Sequence, residues 1–363
     1  LLFSVAIGRN EQTVFEMSGL SSSDEKAEVQ SEKLFELAVL PLLLYYILQN
    51  IFLHVCSASG RAKRGSMLQQ SSKAAVTRLE RRSAHVIHYD LSYVVQGAEY
   101  GTDGAIVLLH DLLGGAFAWD TIQPQLAGLN RAVYAIDLLG YGQSDHPWPA
   151  DTSVWGHADC LHLLLNQLNL TNIVLVGYGL GGGVAQILAT RLSSDRVAAL
   201  VLIDTICYEH AFAPDWPLPN MQKNQEPDVP WEVKPADLQN ELRTALSGIV
   251  QNTRDFAQVI EQYVQSWSDE VGKQVLYQHI RLLVPYYSNA VSSDLKTWGK
   301  PVLIIWAEKD QQNPLKYAQR LHRDISGSRL VIIPDAGHMV LFDAPRAVAD
   351  AINDFCFNLT RDR

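Results

Sequence analysis

Residues 172–187 read NIVLVGYGLGGGVAQI. An apolar run of strand length (172–176) enters a turn with five glycines in seven residues, and a helical pattern leaves it. That is a strand handing over to a helix through a tight, closely packed turn. The pattern repeats on both sides. Apolar strand candidates lie at 84–89, 91–96, 105–110 (AIVLLH), 131–136 (RAVYAI), 197–203 (VAALVLI), 301–306 (PVLIIW) and 328–333 (SRLVII). The middle runs are continuous, as expected for strands covered on both faces. Between them lie helical patterns: Leu161, Leu164, Leu165 and Leu168, then Val348, Ile352, Phe355 and Leu359 behind the start signal Asp343 and Pro345. Alternation of this kind predicts an α/β fold with a mostly parallel eight-stranded sheet and helices on both faces. One insertion, 205–296, interrupts it. It opens rich in Pro and Trp, then turns helical through Leu238, Leu242, Leu246, Phe256, Ile260, Tyr263, Trp267, Leu276 and Ile280. It reads as a helical lid over the carboxyl ends of the strands, where open parallel sheets carry their sites.

The composition agrees. The chain is 47% hydrophobic and 19% charged, which excludes a disordered or rod-like protein. Net charge is −10, so no broad basic face exists for nucleic acid. Cys56, Cys160, Cys207 and Cys356 lie far apart with no CxxC, so neither a metal site nor a disulfide framework is implied.

The first part of the chain is different in kind. Residues 1–33 form a polar arm containing Ser21-Ser22-Ser23 and an acidic bias. With no initiator Met, the sequence reads as a fragment or a processed chain, and Leu1–Ile7 as the remnant of a targeting sequence. From Leu37 to Ser57 no residue is formally charged. At 1.5 Å per residue this run spans roughly 30 Å, one hydrocarbon core. The expectation is one transmembrane helix over 34–57, the alternative being a buried helix of the soluble domain. A basic linker, 58–83, follows with Arg61, Lys63, Arg64, Lys73, Arg78, Arg81 and Arg82. Its charge places everything after residue 60 on the cytoplasmic, matrix or stromal side, with anionic lipid as a possible contact.

Four local patterns carry chemistry. They are LLHDLLGG at 108–115, DLLGYGQSD at 137–145, VGYGLGGG at 176–183, and the pair IIWAEKDQQNP (304–314) and IIPDAGHMV (332–340). In this order, at strand ends, they resemble the α/β-hydrolase family in its helical-cap branch, with the core at 84–204 and 297–363 and the cap at 205–296. The resemblance implies a nucleophile on a strained G-x-S-x-G elbow, a histidine that takes its proton and a carboxylate that orients the histidine. Here it assigns the histidine to His338, the acid to Asp310, and the oxyanion donors to the backbone of Leu112 and Leu180.

Three positions depart from the pattern. The nucleophile position is Gly179, which has no side chain. Tyr178 stands where the family usually has His, and Asp111 where it usually has Gly. Loss of a triad nucleophile removes about 10⁶ in kcat, and a carboxylate near the oxyanion donors opposes developing negative charge. The expectation is therefore a membrane-anchored, non-catalytic hydrolase-like protein. It would serve as an accessory or binding subunit with protein partners, with room for a small apolar ligand under the cap. The alternative is a weak hydrolase of small esters or amides, using His338, Asp310 and a water in the space left at 179. A loop oxygen or sulfur within reach of the His338 imidazole would overturn the inert reading. Gly179→Ser is expected to be sterically accepted. A second alternative is dinucleotide binding, since Gly177, Gly179 and Gly182 spell G-x-G-x-x-G with Asp204 at 22 positions beyond Gly182. No cofactor is otherwise implied. Cys207 and the cap tryptophans Trp216, Trp231 and Trp267 read as core. His157 and His162, five apart, lie on different faces of one helix.

Overall fold

The computed structural model describes residues 79–98, 103–126, 130–210, 233–251, 256–284 and 286–361. The arm at 1–33, the expected span at 34–57, most of the linker at 58–83, and Trp216 and Trp231 lie outside them. Among the described residues no helix is long and apolar enough to cross a membrane.

All eight expected strands form, as one sheet in the order β1-β2-β4-β3-β5-β6-β7-β8. They are β1 (Glu80–Val86), β2 (Tyr89–Gln96), β3 (Ala105–Leu109), β4 (Ala132–Ile136), β5 (Ile173–Tyr178), β6 (Val197–Ile203), β7 (Val302–Ala307) and β8 (Arg329–Ile333). Only β2 runs opposite to its neighbours. The first strand differs from expectation. It starts earlier, takes in Arg81 and Arg82, and ends before the turn at Ile87, whose φ is +58°. The charges suit an edge strand, and Arg81 has a buried partner, Asp137, at 2.6 Å. The carboxyl end of the basic linker therefore belongs to the sheet.

The inner strands bury both faces. Ile106 and Leu108 join one apolar layer, and Val107 and Leu109 the other, as the two-residue period of a strand requires. The first layer continues through Val176, Val201 and Ile305 to the C-terminal helix, where Val348 and Ile352 are fully buried. The second continues through Leu175 and Leu202 to α1 (Val154–Gln167) and α2 (Leu180–Ile187). Ser153 caps α1, its hydroxyl accepting from Gly156 N at 3.1 Å. Truncating a leucine such as Leu108 or Leu202 to Ala would cost about 2–5 kcal/mol.

The insertion between β6 and β7 contains α3 (Pro235–Ile249), α4 (Phe256–Gln265) and α5 (Glu270–Leu282). Leu238, Leu242 and Leu246 form the buried stripe of α3, and Trp267 is fully buried as lid core. The lid lies over the carboxyl ends of the strands. Tyr263 packs on Phe117 after β3, Trp267 on Tyr141 after β4, and Phe256 on Phe342 after β8. After it come α6 (Lys316–Asp324) and α7 (Pro345–Arg361). Because β3 lies between β4 and β5, the chain departs in opposite directions after β3 and β5, leaving a crevice at their ends.

Candidate active site

The turn between β5 and α2 retains the shape of a nucleophile elbow. Gly179 has φ +52° and ψ −112°, a conformation that L side chains rarely adopt. Its flanks must be small. A Cβ on Gly177 would lie 2.4 Å from the Gly181 carbonyl, and one on Gly181 2.5 Å from that of Leu109. The turn is tied to both neighbouring strands, Gly179 N donating to Ile203 O at 3.0 Å and Gly181 N to His110 O at 3.1 Å.

Across the crevice, the loop after β3 is held by His110. This imidazole donates from Nδ1 to the Asp111 carbonyl at 2.8 Å and accepts from Leu138 N at its Nε2 at 3.0 Å. Burial, outweighing its neighbouring carboxylates, holds its pKa below the ordinary histidine value, consistent with a neutral ring.

The Asp111 side chain that this loop presents fills the gap over Gly179. A Cβ built on Gly179 would meet Asp111 Oδ1 at 1.9 Å and Cγ at 2.0 Å. One oxygen, Oδ1, accepts from Leu180 N at 2.6 Å; the other, Oδ2, lies 2.9 Å from His338 Nε2. On its far side His338 Nδ1 lies 2.9 Å from Asp310 Oδ2. Asp310 is fixed in turn, its Oδ1 accepting from Gln312 N at 2.8 Å and Asn313 N at 2.9 Å. The row is carboxylate, imidazole, carboxylate, with all three side chains at most 5% exposed.

Two acceptors, one at each ring nitrogen, call for two N–H groups, so this geometry selects the imidazolium. Burial opposes that charge, but Asp310 and Asp111 together outweigh it and hold the His338 pKa well above the ordinary value. Residue 179 carries no side chain, both His338 ring nitrogens face carboxylate oxygens, and Leu180 N donates to Asp111 Oδ1. Leu112, the other expected donor, is buried beside Asp111 in the same loop.

Several expectations change. Gly179→Ser is not sterically accepted, because Asp111 occupies the space its side chain would need. The space at 179 where the water-based route using His338 and Asp310 would place its water holds the Asp111 carboxylate. The glycines of the dinucleotide reading have another role in the structure. The glycines serve packing, since a Cβ on Gly182 would strike Thr205 Oγ1 at 2.0 Å, and Asp111 puts a carboxylate where a phosphate would have to approach. Asp204 is fully buried, its Oδ1 accepting from Ala307 N at 2.8 Å. Burial and then Asp310 raise its pKa well above the carboxylate range.

Other expected residues fall as follows. His338 and Asp310 are in contact, Nδ1 to Oδ2 at 2.9 Å. Cys207 is buried core, its thiol pushed up by burial. His157 and His162 part to different faces, His157 fully inside and His162 beside Ser193 Oγ at 2.9 Å. Sequence reasoning missed the work of two groups. Tyr178 donates its hydroxyl to the His338 carbonyl at 2.5 Å, latching the histidine loop to β5. Asp137 organises the loop after β4, accepting from Ala116 N at 2.6 Å and Arg81 at 2.6 Å. The DLLGYG run was the signal for Asp137, and the exchange of His for Tyr beside the elbow the signal for Tyr178.

Comparison with known proteins agrees with the fold. Residues 104–345 match the alpha/beta hydrolase fold family. An uncharacterized hydrolase of Bacillus subtilis is 24% identical over 263 residues, covering 69% of this chain and 89% of its own. An sn-1-specific diacylglycerol lipase of Mus musculus is 24% identical over 266 residues, covering 69% of this chain and 80% of its own. Among solved structures, the haloalkane dehalogenase DbeA of Bradyrhizobium elkani superposes with a TM-score of 0.68 at 18% identity, over 79% of this chain and all of its own. By the family match, and with elbow, histidine and acid at the expected strand ends, the chain belongs to the α/β-hydrolase fold family.

Proposed function

We propose that this chain is a non-hydrolytic member of its family, closed from within by Asp111, and that it works as a binding or accessory subunit. One observation carries the reading: the Asp111 carboxylate bridges Leu180 N and His338 Nε2 at 2.6 Å and 2.9 Å, over a Gly179 that leaves it room. A serine protease-like cycle needs a neutral imidazole to receive the nucleophile's proton. Here the imidazole is paired on both sides. The uncharged run 37–57 and the basic residues after it support attachment to a membrane by one helix, with the hydrolase-fold domain on the cytoplasmic, matrix or stromal side. The lid helices over the crevice suit a small apolar ligand or a protein partner at that face.

The test is turnover of a panel of activated esters and amides by the full chain and by His338→Ala. Equal, background rates in both are expected. Hydrolysis by the full chain that His338→Ala abolishes would overturn the reading. The accessory role is tested by gentle detergent extraction from native membranes; recovery with fixed partners is expected, and a lone monomer would count against it.

A second reading rests on the same contact. Asp111 Oδ2 is a loop oxygen within bonding reach of His338, so the inert reading argued from the missing nucleophile alone falls, and the non-hydrolytic reading rests instead on both Asp111 oxygens being engaged. A carboxylate can itself attack an electrophilic carbon, giving an ester of Asp111 and a leaving group that takes the His338 proton. The neutral imidazole would then activate water to cleave that ester. Against this, both Asp111 oxygens accept hydrogen bonds, which lowers their nucleophilicity. Single turnover in heavy-oxygen water decides: label in the Asp111 carboxyl establishes the second reading, and its absence supports the first.

A further inference from the structure

The inner side of α5 meets the core through a stack of polar rings. His279 lies on Tyr141, ring centroids 4.1 Å apart and 20° from parallel. His157 of α1 lies 5.7 Å from His279, at 30°. Trp267, between α4 and α5, stands edge-on to both Tyr141 and His279. All four side chains are at most 2% exposed. Their polar atoms are poorly matched. His279 Nε2 lies 3.3 Å from the Gly140 carbonyl, yet among the described residues His279 Nδ1, both nitrogens of His157 and the Tyr141 hydroxyl have no hydrogen-bond partner.

We infer that this seam is a proton-sensitive latch: when His157 and His279 take up protons, α5 separates from the core and that side of the lid opens.

The reason is the lack of acceptors. An imidazolium needs two, and His157 has none among the described residues. The groups facing it are His110 from the loop after β3, His279 from α5 and the Tyr141 ring, with Asp151 beyond the start of α1. Asp151 spends its Oδ1 on Ser153 N at 3.0 Å. Those facing His279 are His157, His146 and His110, with the Gly140 carbonyl as its one acceptor. His146, at the lid margin, faces Asp137, Asp145 and Asp269. A proton on either ring of the stack would thus meet mostly other imidazoles. Burial, then His110, lowers the His157 pKa to about 3, and burial, then His157, lowers that of His279 well below the ordinary value.

The sign follows. Both pKa values are lower in the closed seam than in a released, hydrated one, where they return to about 6.5. The closed form is therefore fully favoured above about pH 6.5 and loses ground as pH falls below it. Each ring contributes up to about tenfold in the opening equilibrium per pH unit, and the two together up to about a hundredfold. The lid helices α3 and α4 are anchored elsewhere, Phe256 on Phe342 and Gln251 N on Asp343 Oδ1 at 3.0 Å, so the effect is confined to the α5 side.

Hydrogen exchange of the full chain, followed by mass spectrometry between about pH 7.5 and about pH 5 and corrected for intrinsic rates, tests the latch. Amides of α5 are expected to lose protection below about pH 6.5 while those of β5 keep theirs, and His157→Gln to reduce the steepness to about tenfold per unit. Unchanged α5 protection down to about pH 5 would overturn the proposal, as would an unaltered steepness in His157→Gln. Should that variant fail to fold, imidazole spectra of the native chain decide: titration of His157 and His279 in step with α5 exchange supports the latch, and titration of either ring with α5 still protected refutes it.

Discussion

Introducing a hydroxyl nucleophile at Gly179 tests the reciprocal fit of residues 111 and 179. The new Cβ would lie 1.9 Å from Asp111 Oδ1, 2.0 Å from Cγ and 2.5 Å from Oδ2. Contacts below 3.0 Å essentially never occur for a real Cβ, so the carboxylate must retreat by about 1 Å or more. Retreat breaks its 2.6 Å bond to Leu180 N and its 2.9 Å bond to His338. Hydrogen bonds to charged groups contribute about 1.5–3 kcal/mol each, so Gly179→Ser is expected to destabilise by about 3–6 kcal/mol. In an Asp111→Gly background the clash is absent and the same substitution should cost only the backbone strain of a side chain at φ +52°, about 1–3 kcal/mol. The two positions therefore form a double-mutant cycle with a coupling of several kcal/mol. Denaturant unfolding of the four proteins measures it, and fluorophosphonate labelling reads the site directly. Gly179→Ser alone should stay unlabelled, whereas Gly179→Ser with Asp111→Gly should label. Additive costs, or labelling of the single variant, would refute the claim that Asp111 occupies the nucleophile's space.

Tyr178→Phe removes the donor to the His338 carbonyl and should cost about 1–3 kcal/mol, read from the denaturant midpoint. Asp137→Ala strands the buried Ala116 amide and should cost about 2–4 kcal/mol, whereas Arg81→Ala, which leaves the buried Asp137 carboxylate its bonds from Ala116 N and Gln143 N, should cost less, about 1–3 kcal/mol; the same midpoints check both. Because the His338 pKa is raised on folding, its contribution to stability is complete below about pH 6.5 and is lost as pH rises through the elevated folded value. Unfolding midpoints should therefore fall on the alkaline side in the native chain, and less so in His338→Gln.

The sheet was legible because its inner strands are continuous apolar runs, and Ile106 to Leu109 alternate between two layers as a strand must. The start of β1 was not. Arg81 and Arg82 read as a tether, and the partner that draws Arg81 into the sheet, Asp137, comes 56 residues later. At the site, His338 and Asp310 followed from their loops. Gly179 and Asp111 each stood out as departures, but their relation did not. One position had lost a side chain and the other had gained one, in loops 69 residues apart at the Asp111–Leu180 contact. Volume lost in one place and gained in another is a sign of mutual replacement, and only the fold puts the two together. The histidine seam was equally hidden, since His157 and His279 belong to different layers of the molecule and lie 122 positions apart in sequence.

Whether His338 is held as a cation between two carboxylates is read directly from an isotope-edited imidazole spectrum of the full chain at neutral pH. Both His338 nitrogens are expected to carry protons, and Asp111→Asn, which removes one carboxylate while preserving shape, is expected to return the ring to a neutral form. Two unit charges about 4 Å apart at an effective dielectric near 20 interact by about 4 kcal/mol, so the protonation equilibrium should move by roughly a thousandfold. A neutral His338 in the native chain, its Nε2 free to accept a proton, would contradict the account.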